Sequence, residues 1–311
     1  MSPVLHVVMY HYVRDLPNTT FPRIKGMLTQ DFCKQVAALA ARYEMATLES
    51  ARDFVHGTYT PARDLCLLTF DDGLKEHYSE VTPLLMKRRI QGIFFVITSC
   101  IGGNDIAPVH MNHFLMAALG FVKYRNAFLQ RLEDMSPNSI NSTAVDPSLA
   151  RNAYRWDNLE VASFKYMFNF LLDCNARDQI LKNLFEEHIA KVESFAETLY
   201  VSAQEVKEMQ SAGMIIGGHS HQHKPLSSLS DQELRSDLYT CHEILATTLY
   251  PQPLWPFCYP YGKKDSFDKR AAKLLEEIGF VCSFSTEKGA NCAGADLYSL
   301  QRFDCKDMPV Q

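Results

Sequence analysis

Apolar residues along the chain gather in short runs bounded by turn residues, at 4–9, 65–70, 92–98, 214–217, 254–259, 280–285 and 297–303. Several of these runs are near-continuous rather than alternating, the pattern of strands covered on both faces. Seven strands are predicted. Between them the apolar period changes to that of helices. Thr29 is placed to cap a helix over 30–43, with Phe32, Val36, Leu39 and Ala40 on one face. Ser202 with Glu205, and Ser230 with Glu233, are capping boxes ahead of apolar positions, and Gly213 is placed to end the first of these helices. Asp265 opens a last helix that Gly279 closes.

Strands alternating with helices of this length imply parallel pairing and right-handed crossovers. The expected class is α/β, a distorted seven-stranded TIM-like (β/α) barrel. Residues from about 101 to 200 break the rhythm, because a short crossover would suffice where a hundred residues stand. They read as a mostly helical insertion, with helical spacing over 110–132 and 159–196 and a loop over 133–157, inside one catalytic domain of residues 1–311.

A chain of 311 residues, 47% hydrophobic and 22% charged, can bury a large core. Its formal net charge of -5, with no basic stripe, argues against nucleic acid as a partner. No apolar run approaches the roughly 20 residues of a membrane span, and the first residues carry no basic export signal, so a cytoplasmic location is expected. The nine cysteines form no C-x-x-C pair and read as reduced, small hydrophobes.

Four motifs sit at predicted strand ends, which in a barrel open on one face whatever their distance in sequence. Thr69-Phe70-Asp71-Asp72-Gly73 sets two carboxylates before a turn glycine. As an isolated triplet Asp-Asp-Gly simply starts a loop, but one carboxylate can also bind a metal while its neighbour acts as general base. His219-Ser220-His221-Gln222-His223 crowds three imidazoles into five positions. His219 and His223, four apart, would share one side of a helical turn and reach one divalent ion, with His219 and His221 the alternative pair. Tyr259-Pro260-Tyr261-Gly262 forms a turn whose Tyr261 N–H can face an oxyanion. His11, in Tyr10-His11, can meet Asp71 in space, and an imidazole, with its reference pKa of about 6.5, suits a general acid.

Together, T-F-D-D-G, H-S-x-x-H and an aromatic-Pro-Tyr-Gly turn resemble the polysaccharide deacetylases with a NodB-homology domain, carbohydrate esterase family four. The resemblance covers residues 3–100 and 201–304 and leaves out the insertion. It implies Asp71 as catalytic base, Asp72, His219 and His223 as ligands of zinc or a similar divalent ion, and the Tyr261 amide in the oxyanion hole. Two positions depart from the family. No His follows His242, where the family usually has its general acid, and Tyr10-His11 is similar to the N-terminal Tyr-His of the poly-N-acetylglucosamine deacetylase branch, which implies His11 as the acid. Cys258 stands where the family often has the Arg that orients the catalytic Asp, a part for which Arg302 is the substitute. Tyr259, Pro260 and Arg302 are the expected substrate-side residues.

The implied reaction is metal-dependent removal of an N-acyl, above all N-acetyl, group from an amino sugar in polysaccharide or glycoconjugate biosynthesis. The expected substrate is carried on a nucleotide, a lipid or an oligosaccharide. Deformylation, hydrolysis of a non-sugar amide, and a metal-binding pseudoenzyme without turnover are the alternatives. A haloacid-dehalogenase aspartate motif is set aside, since it needs Asp-x-Asp and these carboxylates are adjacent.

Overall fold

The computed structural model describes residues 2–103, 105–135 and 145–309. They form two compact units, one of Met1–Asp15, Lys25–Asn104 and Glu197–Gln311, the other of Leu16–Ile24 and Asp105–Ala196.

The first unit is built on a parallel sheet. Its strands are β1 (Leu5–Tyr10), β2 (Glu44–Met45), β3 (Leu65–Phe70), β4 (Gly92–Val96), β5 (Ile215–Gly218), β6 (Pro256–Cys258), β7 (Cys282–Phe284) and β8 (Phe303–Asp304). Their order is β7-β6-β5-β4-β3-β1-β8, with β2 also paired to β3. The long β1–β3 ladder, from Leu5 opposite Leu65 to Tyr10 opposite Phe70, brings the ends of both strands level.

Successive side chains of a strand point to opposite faces, and here both faces are buried. Cys66, Leu68 and Phe70 of β3 pack with Val8, Phe94 and Ile216 and with helix residues such as Phe32, Leu234 and Leu275. Leu65 and Leu67 gather with Leu5, Val7, Ile93, Phe95, Cys258, Phe284 and Leu300, from one edge of the sheet to the other, as the inner face of a curled sheet requires. Asp71 continues the inner series 65, 67, 69 and so emerges at its upper end. The architecture is the expected parallel (β/α) barrel, with eight strands among the described residues rather than seven.

Several expected boundaries need correction. The strand over 297–303 contracts to β8, because residues before it form no continuous ladder with β7: they reach it through the isolated bridge Phe284–Leu300 and through bonds from Ser283 to the Leu297 and Tyr298 carbonyls. Two-residue β2 is too short to leave a periodic signal. Thr29 is the first helical residue of Thr29–Arg42 rather than its cap, and Leu28 takes the cap position with no side-chain bond. The last helix, Lys269–Ile278, begins after Asp268, whose carboxylate accepts from the N–H groups of Arg270 and Ala271, so Asp265 lies outside it. Both capping boxes form as read.

The second unit is helical. The helical stretch over 110–132 is divided at Gly120, φ +79°, into Pro108–Leu119 and Phe121–Met135. Of the loop expected over 133–157, residues 136–144 lie outside the described residues. Pro147–Ala153 within it is a helix, because Asp146 caps it and Pro147 takes the first-turn position where no N–H is needed. The helices Leu159–Tyr166 and Cys174–His188 follow, joined through a π turn at Met167–Leu171. Phe114, Phe128, Phe164, Phe168 and Phe185 are buried in this unit. No helix of the described residues is long and apolar enough to cross a membrane.

Candidate active site

The ends of β1, β3, β5 and β6 converge on a cluster of buried polar side chains in the first unit. After Phe70 the chain turns with Asp72 at φ +80° and Gly73 at φ +67°. A Cβ on Gly73 would lie 2.9 Å from Val96 Cγ1, so any side chain there is strained. The turn sends the two carboxylates in different directions.

Asp72 turns toward His219 and His223. Its Oδ1 lies 3.4 Å from His219 Nε2 and 3.5 Å from His223 Nε2, and the two Nε2 atoms are 3.2 Å apart. Donors of a tetrahedral ion with bonds of about 2.0–2.2 Å stand about 3.3–3.5 Å from one another, so this triangle has the dimensions of a three-ligand divalent-metal site. The rest of the chemistry fits. His219 Nδ1 is 2.8 Å from the Cys258 carbonyl, which can only accept. When that ring is neutral its proton is therefore on Nδ1, and the Nε2 lone pair faces the triangle. Burial alone would lower the pKa of His219, but Cys258, Asp72 and Asp71 raise it well above the ordinary value. The pocket favours positive charge there.

His219 and His223 do not share a helical turn, as the four-residue spacing suggested. They lie on a loop after β5 with Ser220 at φ +62° and His223 at φ +54°. The loop is tied down on every side. Thr98 N–H and Ser99 N–H donate to the carbonyls of Ser220 and His221, and Ser220 Oγ accepts from His223 N–H. The Asp237 carboxylate accepts from the N–H groups of His221 and Gln222, both at 2.9 Å. His221 Nδ1 pairs with Thr98 Oγ1 at 3.0 Å, outside the triangle, which favours His219 with His223 over His219 with His221.

Asp71 turns the other way. Arg302, with no exposed surface, grips it with two parallel hydrogen bonds of 2.8 Å, and also bonds Thr69 Oγ1 and the Ser285 carbonyl. Burial pushes the Asp71 pKa up, yet the charge and hydrogen bonds of Arg302 outweigh it and hold the carboxyl at about 2. Asp71 stays ionised. His11 Nε2, on a side chain 45% exposed, stands 3.7 Å from Asp71 Oδ2. Tyr261, φ +61°, is fixed by Thr286, which donates to its carbonyl, and its ring lies 5.1 Å from that of His223. Of the five described non-glycine residues with positive φ, all but Arg89 are at this site, each held in a sparsely populated backbone conformation that the surrounding structure must maintain.

Three expected substrate-side residues are buried instead. Tyr259 stacks on Phe267 with ring centres 3.8 Å apart, and its hydroxyl donates to the Tyr298 carbonyl, so its ring faces the core. Pro260 is buried beside it. Arg302 is spent on Asp71, which matches the orienting part rather than a substrate contact. Cys258 is more than a small hydrophobe, since Arg302 donates to its Sγ at 3.1 Å and the thiol lies 3.6 Å from Asp71 Oδ2. Asp237 also escaped the sequence reading. Its signal was a carboxylate on the apolar stripe of Leu234, Leu238 and Cys241.

Comparison with known proteins gives one consistent direction. The family model described as polysaccharide deacetylase matches residues 58–144 and 169–283. YxkH of Bacillus subtilis (strain 168), which carries the provisional name polysaccharide deacetylase, is 24% identical over 103 residues, 33% of this chain and 36% of the relative. The chain thus matches only about a third of that protein's length. Among solved structures, IcaB from Ammonifex degensii superposes with a TM-score of 0.58 at 19% identity, covering 97% of this chain and 91% of that one. The Streptococcus pyogenes deacetylase PplD, in complex with acetate, gives 0.58 at 14% identity, covering 98% and 93%.

Proposed function

Because the chain belongs to the polysaccharide deacetylase family, we propose that it is a metal-dependent hydrolase that removes an N-acetyl group from an amino sugar. The observation that carries this reading is the pairing of two carboxylates with two tasks. Asp72 completes a triangle of metal-ligand dimensions with His219 and His223, while its neighbour Asp71 is held apart by Arg302. A divalent ion bound by that triangle, zinc by its two imidazoles and one carboxylate, supplies Lewis acidity for an amide carbonyl.

The other steps belong to the chain's own residues. Asp71, kept ionised and aimed by Arg302, takes a proton from the attacking water. In this reading the Tyr261 N–H donates to the oxyanion that forms on the carbonyl oxygen. His11, 3.7 Å from Asp71, gives a proton to the sugar nitrogen as the C–N bond breaks, leaving a free amine and a carboxylate. The half-exposed His11 leaves the rim open to a large substrate, which supports a sugar on an oligosaccharide, lipid or nucleotide carrier.

The test is acetate release from an N-acetylglucosamine oligosaccharide by the purified protein. Activity lost on chelation, restored by zinc, and absent from Asp71→Asn is the expected result. Unchanged turnover in Asp71→Asn would remove the base from this reading, and turnover unaffected by chelation would remove the metal.

A further inference from the structure

His11 stands at the rim of the site on a side chain that packing does not enclose, so its aim depends on how its backbone is held. Its chain neighbours are tied by backbone bonds, from Asp71 N–H to the Tyr10 carbonyl and from Met27 N–H to the Tyr12 carbonyl, and the segment after Asp71 adds two side-chain contacts. His77, with no exposed surface, places Nε2 2.9 Å from the carbonyl oxygen of His11. A carbonyl only accepts, so the proton of the neutral ring is on Nε2. The other ring nitrogen, Nδ1, is buried without a hydrogen-bond partner, in a ring that packs against Phe70 and Phe94. Leaving that nitrogen without a protein hydrogen-bond partner is a cost that phenylalanine would avoid in the same aromatic pocket. One residue earlier, buried Glu76 accepts from Arg14 at 2.8 Å and 2.6 Å, gripping the chain three residues beyond His11.

We propose that His77 is a positioning residue for His11: its Nε2–H bond to the His11 carbonyl fixes where the proton donor stands relative to Asp71 and the leaving nitrogen. The segment from Asp71 to His77 then carries the base, one metal ligand and the clamp on the acid, so acid and base move as one body. Burial drives the pKa of His77 down to about 4 against the opposing pull of its bond to His11, so the ring is a neutral, single-tautomer donor near pH 7. The inference rests on the reading of His11 as proton donor.

The test uses two substrates that differ in need of an acid. An amine leaves only when protonated, whereas p-nitrophenolate leaves as the anion. With the zinc-loaded protein, His77→Phe is expected to lower kcat on the N-acetylglucosamine oligosaccharide by roughly ten- to a hundredfold. It should leave p-nitrophenyl acetate hydrolysis, KM and zinc content within about twofold. His77→Gln, which carries an N–H at the reach of Nε2, should recover most of the amide rate. In a His11→Ala background, His77→Phe should have no further effect. Equal losses on both substrates, full amide activity in His77→Phe, or additive losses in the double variant would overturn the proposal. Should His77→Phe not fold by thermal unfolding, His77→Asn, too short to reach the carbonyl, carries the same comparison. Full amide activity in His11→Ala would instead remove the reading on which the inference rests, so the two failures are distinct.

Discussion

Arg302 and Asp71 meet through two parallel 2.8 Å hydrogen bonds in a place where neither side chain sees solvent. Such a pair is far more costly to break than to have, because one buried charge is left without its partner. Arg302→Met is expected to destabilise the protein by about 3–5 kcal/mol at pH 7 and to lower kcat by roughly a hundredfold or more. The pH dependence has a definite sign. Asp71 is held at about 2 against a reference of 3.8, so its stabilisation is full above the reference and is lost as pH falls through about 2. Urea unfolding of both proteins should show their gap widest above pH 4 and closing toward pH 2. Equal stability at pH 7 would contradict this account.

The two carboxylates should separate cleanly on substitution. Asp72→Ala, His219→Ala and His223→Ala each remove one corner of the triangle proposed to hold the metal and should lose bound zinc on dialysis, while Asp71→Asn should keep it. Metal content by mass spectrometry decides the matter. Loss of zinc from Asp71→Asn to the same degree as from Asp72→Ala would mean that both carboxylates are ligands.

Gly73 offers a test of the turn that parts them. Gly73→Ala places a methyl 2.9 Å from Val96 Cγ1 at φ +67°, a strain of about 1–3 kcal/mol. Both the melting temperature and the zinc affinity should fall, since the adjacent Asp72 is aimed by the same turn. A variant with a lower melting temperature and unchanged affinity would show the turn to be purely structural.

How much of this was legible in the sequence follows from distance along the chain. Asp71 and Asp72, and His219 and His223, were legible because each set lies within one strand-end motif. The reason for the histidine spacing was not, since a helical turn was expected and a loop with two positive-φ residues delivers the same convergence. Arg302 is 231 residues from Asp71, so only the family resemblance, through the orienting Arg missing near Cys258, pointed to it, while its own neighbourhood does not mark it as a buried partner rather than a solvated cation. Tyr259 reads as a substrate residue from its motif, yet strand alternation and stacking on Phe267 turn it into the core. His77 and Asp237 carried the same overlooked signal, an ionisable residue on a face that should be apolar.

Asp237 gives that signal a test. From the helix Asp231–Thr248 it accepts from the N–H groups of His221 and Gln222, at the middle of the loop whose ends carry His219 and His223, the two histidines proposed to bind the metal. Burial raises its pKa, although the two loop N–H groups pull the other way. Asp237→Asn keeps the size but replaces one acceptor oxygen by an amide nitrogen, so one of the two loop N–H groups is left unmatched. Outer-shell partners of this kind are worth roughly ten- to a hundredfold in metal affinity. Competition against a zinc indicator should show a loss of that size in Asp237→Asn, and a greater one in Asp237→Ala, with no direct ligand altered. Affinity equal to wild type in both would mean that Thr98, Ser99 and Ser220 alone are sufficient to hold the loop.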